Sequence, residues 1–316
     1  MTRTNAFILL VALIPVMLLP ACSEGQRTQE TASPSASPAE SQDASQSPDI
    51  FRFNIGALDA VALKDGDIDA DNDGKTFGVG RPTGDVSAVL AAAGQPTDTL
   101  HLGIQPLLVR SGSRVLLFDT GAADASFARA GRLPASLRAA GVEPSQVTDI
   151  FISHRHPDHV GGLLLPDGAL AFPNATIHVS APEWEALEAD GTSASLVSAV
   201  APKVMAFEPG AVILPGLVTA VAVDGHTPGH SAYEIASGDQ RLLYIGDSAH
   251  HHVISVQRPG WTIAYDEDAP TAQASRRALL QRAADQGLRI YAVHFPFPGL
   301  GHVRSEGESF VWVPEH

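Results

Sequence analysis

Histidines and aspartates are concentrated in one stretch of the chain, residues 153–162, which reads SHRHPDHVGG. Side chains two positions apart in an extended segment lie on the same side of the backbone, so His154 and His156 can bind one metal ion together. The turn that follows directs Asp158 and His159 towards a second position. Three imidazoles and a carboxylate at this density suit zinc or another borderline divalent ion. The stretch therefore predicts a metal site.

Short apolar runs and helical patterns alternate around this stretch and must position it. A predicted strand over 149–152 runs directly into the histidines. Strands outnumber helices, and the helices fall between groups of strands, so we expect a mixed α/β fold with packed sheets and outer helices. The predicted strands are 51–55, 59–63, 104–109, 114–118, 149–152, 176–179, 218–223, 233–236, 241–245, 289–293 and 310–313, and the predicted helices are 86–93, 134–140, 182–189 and 270–286.

Composition and charge exclude several classes of function. The chain has 316 residues, 44% of them hydrophobic, a formal net charge of −15 and a single cysteine, Cys22. Non-specific nucleic-acid binding needs basic surfaces that neutralise phosphates, so we predict no nucleic-acid partner. One cysteine excludes a disulfide framework and a CxxC zinc site. The oligomeric state stays open, with a homodimer as one possibility.

The N-terminal segment has the features of an export signal. Arg3 precedes an apolar run over 6–19, which is shorter than the roughly 20 apolar residues of a membrane-spanning helix. The sequence LPAC at 19–22 resembles a bacterial lipoprotein signal, in which Cys22 becomes the lipid-modified first residue of the mature chain. This implies an exported protein, lipid-anchored to a bacterial membrane and facing the periplasm or the cell exterior. An ordinary cleaved signal is the alternative.

The chain then divides into two further segments. Residues 22–50 are rich in Ser, Ala and Pro and contain few large apolar residues, so they predict a disordered tether. Residues 51–316 predict one catalytic domain, and residues 1–21 form the predicted signal peptide.

The histidine-rich stretch and four other motifs resemble the metallo-β-lactamase superfamily. After HxHxDH and its two glycines, the other motifs occur in that family's order: LLFDTG at 116–121, GHTPGH at 225–230, YIGD at 244–247 and VH at 293–294. The resemblance covers about residues 51–316. It implies an α/β (α+β) fold, the four-layer αββα sandwich, with the site at one edge of its two sheets.

The resemblance also implies the residues that hold two divalent metal ions, which we expect to be Zn²⁺. One ion would take His154, His156 and His226, the other Asp158, His159 and His294, with Asp247 bridging them. The HTPGH motif contains two histidines, and the sequence alone does not choose between them. The family uses the first, so His230 is expected to support the ligands, as is Asp119.

Charge arithmetic favours a hydrolytic site. Two divalent cations, two aspartates and a bridging hydroxide leave a net charge of about +1, which attracts a carbonyl or phosphoryl oxygen, and a bound cation lowers the pKa of water to roughly 7. The predicted reaction is attack of a metal-bridging hydroxide on a small-molecule substrate. Asp158 and Asp247 are its catalytic carboxylates.

Further motifs resemble one group within the superfamily. DTGAA at 119–123, PNATIHV at 173–179, HFPFPGLGHVR at 294–304 and FVWVP at 310–314 resemble the methyl parathion hydrolase-like group, which includes organophosphate triesterases, aryl esterases and homoserine lactonases. This implies hydrolysis of small esters, lactones or phosphotriesters. The alternatives are a redox or non-hydrolytic binding protein on the same fold, or a β-lactam or thioester hydrolase. The bridging aspartate and the lack of a second-site cysteine argue against β-lactams.

Five other features have weaker interpretations. Residues 250–252 (HHH) are expected to form a loop at the mouth of the site, with extra ligands or a proton relay as the alternative. Residues 69–74 resemble half of a calcium-binding loop, but the twelfth position is glycine, so we expect a polar loop. Phe77, Trp184 and Trp261 suit either a substrate pocket or the core. Arg276 and Arg277 are expected on a solvated helix face. Arg155, where family members often have Met, has no explanation from sequence.

Overall fold

Two seven-stranded sheets and a two-stranded antiparallel sheet form the β structure of residues 47–315, the part of the chain that this computed structural model describes. The strands are β1 (Ile50–Ile55), β2 (Leu58–Leu63), β3 (Gly66–Asp71), β4 (Thr99–Ile104), β5 (Leu107–Ser111), β6 (Arg114–Phe118), β7 (Asp149–Phe151), β8 (Thr176–Ser180), β9 (Val204–Phe207), β10 (Val212–Leu214), β11 (Val218–Ala222), β12 (Ser231–Ser237), β13 (Gln240–Tyr244), β14 (Arg289–Tyr291), β15 (Leu300–Glu306) and β16 (Ser309–Pro314). The α-helices are α1 (Thr83–Ala92), α2 (Leu133–Ala139), α3 (Pro157–Val160), α4 (Ala181–Ala189), α5 (Ala194–Val200), α6 (Ile254–Gln257) and α7 (Ala269–Gln286).

The two large sheets pack against each other, and helices cover their outer faces. The first sheet has the order β1-β2-β5-β6-β7-β8-β9, and the second runs from β10 to β16 in sequence order. Between them lies a core that includes Phe118 from the first sheet and Tyr233 and Tyr244 from the second. Leu137 of α2 packs on the far side of the first sheet, and Leu279 of α7 on the far side of the second. This is the predicted four-layer αββα sandwich, so the fold class is confirmed.

Parallel pairing brings several strand ends to one edge of the sandwich. In the first sheet β6, β7 and β8 are parallel neighbours, with Phe118 opposite Phe151. In the second sheet β13 is parallel to β14, with Tyr244 opposite Tyr291. Because parallel strands end at the same edge, the loops after β6, β7, β13 and β14 all begin close together. These loops carry the aspartates and histidines of the sequence motifs.

The prediction of one strand over 104–109 is wrong. The chain leaves β4 at Ile104 and enters β5 at Leu107, and these strands belong to different sheets. Pro106 lies at the break, where its lack of an N–H suits a change of partner. The predicted helices match α1, α2, α4 and α7 to within three residues. The strands β3, β9, β10 and β15, and all of β4 except Ile104, were not predicted, since they are short or carry many polar residues.

The expectation of a polar loop over residues 69–74 is also partly wrong. Asp69 and Asp71 lie in β3, which pairs with β4 along its whole length, with Asp69 opposite His101 and Asp71 opposite Thr99. Alternating burial explains the composition, since the aspartates face outward while Ala70 is buried.

The N-terminal predictions fall almost wholly outside the described residues. The predicted signal peptide, Cys22 and most of the predicted tether precede residue 47, and β1 begins at Ile50, one residue before the predicted domain. Among the helices described, none has both the length and the apolar character needed to cross a bilayer.

Candidate metal centre

The histidine-rich stretch changes from extended to helical backbone between its ligand-type residues. His156 is still extended (φ −64°, ψ 150°), and Pro157 then occupies the first turn of α3, where its fixed φ is already suited to a helix. His154 and His156 therefore leave the chain from the extended segment, whereas Asp158 and His159 leave it from the helix. The structure thus directs the two halves of this stretch into two separate groups of side chains.

The first group of side chains comes from three separate loops. His154, His156, His226 and Asp247 each offer one ligand atom, and these atoms lie within 4.8 Å of one another. His226 Nε2 is 3.2 Å from His154 Nε2 and 3.1 Å from His156 Nδ1. Asp247 Oδ2 is 3.4 Å from His226 Nε2. Three nitrogens and an oxygen thus converge on one point.

The second group lies beside the first and contains Asp158, His159 and His294. Asp158 Oδ2 is 3.7 Å from His159 Nε2 and 3.5 Å from His294 Nε2. The other oxygen of Asp247, Oδ1, is 3.1 Å from His159 Nε2 and 3.0 Å from His294 Nε2. Asp247 therefore directs one carboxylate oxygen to each group.

Buried polar atoms without hydrogen-bond partners indicate whether these two groups suit metal ions. His159 Nε2 and Asp247 Oδ1 are buried without a hydrogen-bond partner. Such atoms cost free energy unless a ligand satisfies them. The nitrogen–nitrogen separations in the first group are close to the roughly 3.3 Å edge of a zinc-centred tetrahedron with 2.0–2.1 Å bonds. The donor set fits two divalent cations.

Hydrogen bonds select the ring nitrogen that faces each group. His159 Nδ1 lies 2.7 Å from Asp119 Oδ2, and His226 Nδ1 lies 3.0 Å from Asp266 Oδ1. His294 Nδ1 lies 2.6 Å from the main-chain oxygen of Gly103. In each case Nδ1–H donates to a fixed acceptor, so Nε2 is the nitrogen that faces the ligand group and is available to a metal ion.

Electrostatics keep the central carboxylate ionised. Burial by itself raises the pKa of Asp247, but the surrounding imidazoles of His159, His294, His250 and His154 outweigh it and hold the pKa well below its usual range. Burial, reinforced by neighbouring imidazoles, also holds the pKa of His154 well below its usual value. An ionised Asp247 and a neutral His154 are the protonation states that bind cations.

Asp119 and His230 lie next to the two groups and contact their members. Besides His159, Asp119 accepts hydrogen bonds from Ser153 N–H and Oγ–H and from the Tyr244 hydroxyl, each at 2.7 Å. His230 Nε2 accepts the main-chain N–H of Asp247 at 2.9 Å. This hydrogen bond occupies His230 Nε2, so His226 is the histidine of HTPGH that faces the first group.

The expectation that Arg276 is solvated is wrong. Its side chain is 1% exposed, and it donates to Asp266 Oδ2 at 2.7 Å and to the main-chain oxygen of Ser248 at 2.7 Å. Asp266, which orients His226, was not predicted either. A signal for Arg276 did exist, because it shares the buried face of α7 with Ala272, Leu279 and Ala283 at helical spacing. Arg277 is exposed, as expected.

The stretch 250–252 is a loop, as predicted, but most of it is buried. His250 Nε2 lies 3.2 Å from Asp247 Oδ2. His251 Nδ1 accepts the N–H groups of Val253 and Ile254 and so supports the start of α6. Of the two histidines, His250 is therefore the one at the site.

A cavity of about 580 Å³ opens over both groups. Apolar side chains of Ile68, Leu102, Phe127 and Tyr265 form part of its wall. The three aromatic residues considered for such a pocket, Phe77, Trp184 and Trp261, instead pack on hydrophobic cores. The cavity lining also includes three aspartates of β3 and the turn after it: Asp69, Asp71 and Asp73.

The family model described as the metallo-beta-lactamase superfamily matches residues 103–308. The chain belongs to this superfamily. Solved structures of the superfamily fold agree: the dizinc quorum-quenching lactonase AidC is 30% identical, with a TM-score of 0.78, over 84% of this chain and 97% of that chain. The hydrolase AbOPH is 31% identical, with a TM-score of 0.77, over 86% and 99%. No curated protein matches the chain significantly.

A more distant structure shows the fold alone. A probable metal-dependent hydrolase from Staphylococcus aureus is 21% identical, with a TM-score of 0.71, over 84% of this chain and 99% of that chain. Three observations show that this member of the superfamily is a metallo-hydrolase. They are the family match, the two hydrolases at 30% identity or more, and the two groups of metal-type side chains.

Proposed function

We propose that this metallo-hydrolase is a dinuclear zinc enzyme that hydrolyses small uncharged esters, lactones or phosphotriesters. The observation that carries the proposal is the position of Asp247, with one oxygen towards each group of ligands beneath the cavity. The proposed ligands are His154, His156 and His226 for one ion, Asp158, His159 and His294 for the other, and Asp247 for both.

The residues of the site have separate tasks in this proposal. Two bound cations would supply hydroxide at neutral pH and would polarise the carbonyl or phosphoryl oxygen of the substrate, which makes its carbon or phosphorus easier to attack. Asp247 sets the separation of the two groups, and Asp119 and Asp266 hold His159 and His226 in the tautomer that leaves Nε2 free. The buried position of these side chains limits the motion that would misplace them.

The size and the charge of the cavity support small, uncharged substrates. A volume of about 580 Å³ suits a molecule of drug-like size. Among the described residues that line it there is no lysine or arginine, while Asp69, Asp71 and Asp73 lie on its wall. Arg129 and Lys75, which form ion pairs with Asp69 and Asp73, are outside the lining. An anionic substrate would meet repulsion there, whereas a neutral one would not.

Support for lactones comes from AidC, whose structure holds the product N-hexanoyl-L-homoserine. The phosphotriesters come into the proposal through the sequence motifs that resemble the methyl parathion hydrolase-like group. The apolar wall of Ile68, Leu102 and Phe127 suits the acyl or aryl part of such substrates.

The test compares kcat/KM of the zinc-loaded protein on an N-hexanoyl homoserine lactone, an aryl ester and an aryl dialkyl phosphotriester, each with and without chelator. We expect chelator-sensitive turnover and a preference of at least tenfold, about 1.4 kcal/mol, for one class.

A second test addresses the charge of the substrate. Methyl 4-acetoxybenzoate and its free acid, 4-acetoxybenzoate, form a matched neutral and anionic pair. The neutral ester should react at least about tenfold faster, with a gap that narrows as salt is added. Faster turnover of the anion, or of benzylpenicillin, would contradict the proposal.

We also propose that the protein is exported and lipid-anchored through Cys22, on the basis of the LPAC sequence. The full chain and its Cys22→Ser variant would be expressed in a bacterium and fractionated. The native chain should sediment with membranes and the variant should be soluble. A variant that still sediments with membranes would refute the anchor.

A further inference from the structure

We propose that Arg155 is a positioning residue that tightens the first metal group by bridging two glutamates, Glu183 and Glu267. These three side chains are called the arginine bridge below. The inference rests on the proposed function only in that His154, His156 and His226 hold an ion. It assigns a role to the residue between two ligand histidines for which the sequence offered none.

Glu183, in the first turn of α4, is the buried end of the bridge. Its side chain is 1% exposed, and its Oε1 accepts the main-chain N–H of Arg155 at 2.9 Å. Arg155 Nε lies 3.6 Å from the same oxygen. This carboxylate therefore holds the backbone between His154 and His156.

The second oxygen of Glu183 holds the loop that carries His226. Oε2 accepts the Thr227 hydroxyl at 2.7 Å and the Gly229 N–H at 2.9 Å. Ser180 strengthens the same junction, since its hydroxyl donates to the main-chain oxygen of Gly229 at 2.6 Å. One buried carboxylate thus joins the two loops that supply all three imidazoles of the first group.

Glu267 is the outer end of the bridge and reaches His226 from the other side. The guanidinium of Arg155 donates to its carboxylate. The main-chain N–H of Glu267 donates to the main-chain oxygen of His226 at 3.1 Å. Glu267 also follows Asp266, which accepts from His226 Nδ1. Through Glu267, Arg155 ties its own loop to the segment that orients His226.

Such a bridge is needed because the first group is crowded. Ring nitrogens only 3.1–3.2 Å apart require the loops that carry His154, His156 and His226 to be held close together, which costs conformational entropy. Holding the loops together beforehand removes part of the ordering cost from the binding step. Arginine suits this role, since its planar guanidinium carries several N–H donors and can contact two carboxylates at once. Methionine at 155 would fill similar space but would leave Glu183 without its cation.

The second group depends on other partners. His159 is held by Asp119, and His294 by the main-chain oxygen of Gly103. Loss of the arginine bridge should therefore weaken the binding of the ion in the first group and leave the binding of the other ion nearly unchanged.

The test is zinc release from the Arg155→Met protein, loaded with two equivalents of zinc and mixed with excess chromophoric chelator. In the native protein we expect two release phases. In the variant one phase should be roughly tenfold faster, the size typical of residues that orient metal ligands, and the other should be unchanged. The control is Arg114→Met, which removes a similar ion pair, 2.9 Å to Asp149, at the opposite end of β6. It should release zinc as the native protein does.

Two further measurements separate positioning from general damage. The melting temperature of the metal-free protein should be similar for Arg155→Met and Arg114→Met. With zinc bound, the melting temperature of Arg155→Met should be lower than that of Arg114→Met. Glu267→Gln should speed the same release phase, and combined with Arg155→Met it should add little, since both break one interaction.

Distinct results would refute each level of the argument. If the native protein binds no zinc, the proposed function fails. If it binds two ions and Arg155→Met releases both at native rates, or speeds both phases equally, the arginine bridge is refuted while the proposed function stands.

Discussion

At the scale of single residues, the site depends on carboxylates with two differently engaged oxygens. Asp247 directs Oδ1 to one group of ligands and Oδ2 to the other. Glu183 in the same way joins two loops, one through each oxygen. Asp266 contacts His226 with one oxygen and Arg276 with the other. Each carboxylate therefore contacts two different partners, one with each oxygen, and so fixes the distance between parts of the chain that are distant in sequence.

Replacing Asp247 with Asn should abolish most of the activity. The amide has nearly the same shape but no charge, so the imidazoles around it lose the anion that they stabilise, and two cations would repel each other more strongly. We expect kcat/KM to fall at least ~100-fold and bound zinc to fall from two ions per chain to one or fewer. Kinetics with zinc analysis after gel filtration measures both. Asp239→Asn, in an exposed turn, is the control. Full activity with two bound ions would contradict the bridging role.

At the scale of elements, parallel strands and closely packed loops bring the ligands together. The loop after β6 approaches the turn after α3 so closely that a Cβ on Gly162 would lie 2.1 Å from the main-chain oxygen of Thr120. Thr120 in turn donates to the main-chain oxygen of His159 through its N–H and its hydroxyl, both at 2.8 Å. The two glycines of the HxHxDHxGG motif thus permit a backbone contact that positions His159.

Gly162→Ala should therefore damage both stability and the site. The added methyl must displace main chain rather than a flexible side chain, at a cost of about 1–3 kcal/mol. We expect the melting temperature to fall by several degrees and kcat/KM to fall with it, since the loops after β6 and β7 separate. Gly84→Ala is the matched control: nothing lies within 4 Å of its added methyl, and in α1 alanine should stabilise slightly. Equal effects of the two variants would disprove this account.

Helix α7 is joined to the site by the buried pair of Arg276 and Asp266. Arg276→Met should destabilise the metal-free protein by about 3–5 kcal/mol, because it leaves Asp266 buried without its cation. Urea unfolding followed by circular dichroism measures this free energy. The neighbouring Arg277→Met, on the exposed side of the same helix, should change stability by no more than about 0.5 kcal/mol. A small effect at Arg276 would show that the pair does not hold α7 in place.

At the scale of the whole molecule, the two groups of candidate metal ligands draw their residues from both large sheets. His154, His156, Asp158 and His159 follow β7 of the first sheet, whereas Asp247 and His294 follow β13 and β14 of the second. Ions held by all of them would connect the edges of both sheets. Metal binding and the stability of the whole fold should therefore be coupled.

Removal of zinc should lower the melting temperature of the whole protein in one transition. With free zinc at 100 times its dissociation constant, binding at one site stabilises the folded state by about 2.7 kcal/mol, which corresponds to roughly 5–10 °C for a domain of this size. Differential scanning calorimetry with and without chelator measures the shift. Asp247→Asn should show a smaller shift. A chelator that leaves the native melting temperature unchanged would mean that the ions do not link the sheets.

The sequence by itself determined the residue types of the metal groups and the superfamily. Those signals are local, because HxHxDH, HTPGH and the strand-end aspartate each occupy a few consecutive residues. Only the tertiary structure decided which Asp247 oxygen faces which group, which nitrogen of each histidine is free, and that Glu183, Asp266 and Arg276 support them. These partners lie 10 to 46 residues from the residues that they contact, on helices and loops without a motif. Their roles follow from burial and hydrogen-bond geometry, which arise only when the two sheets and the outer helices pack together.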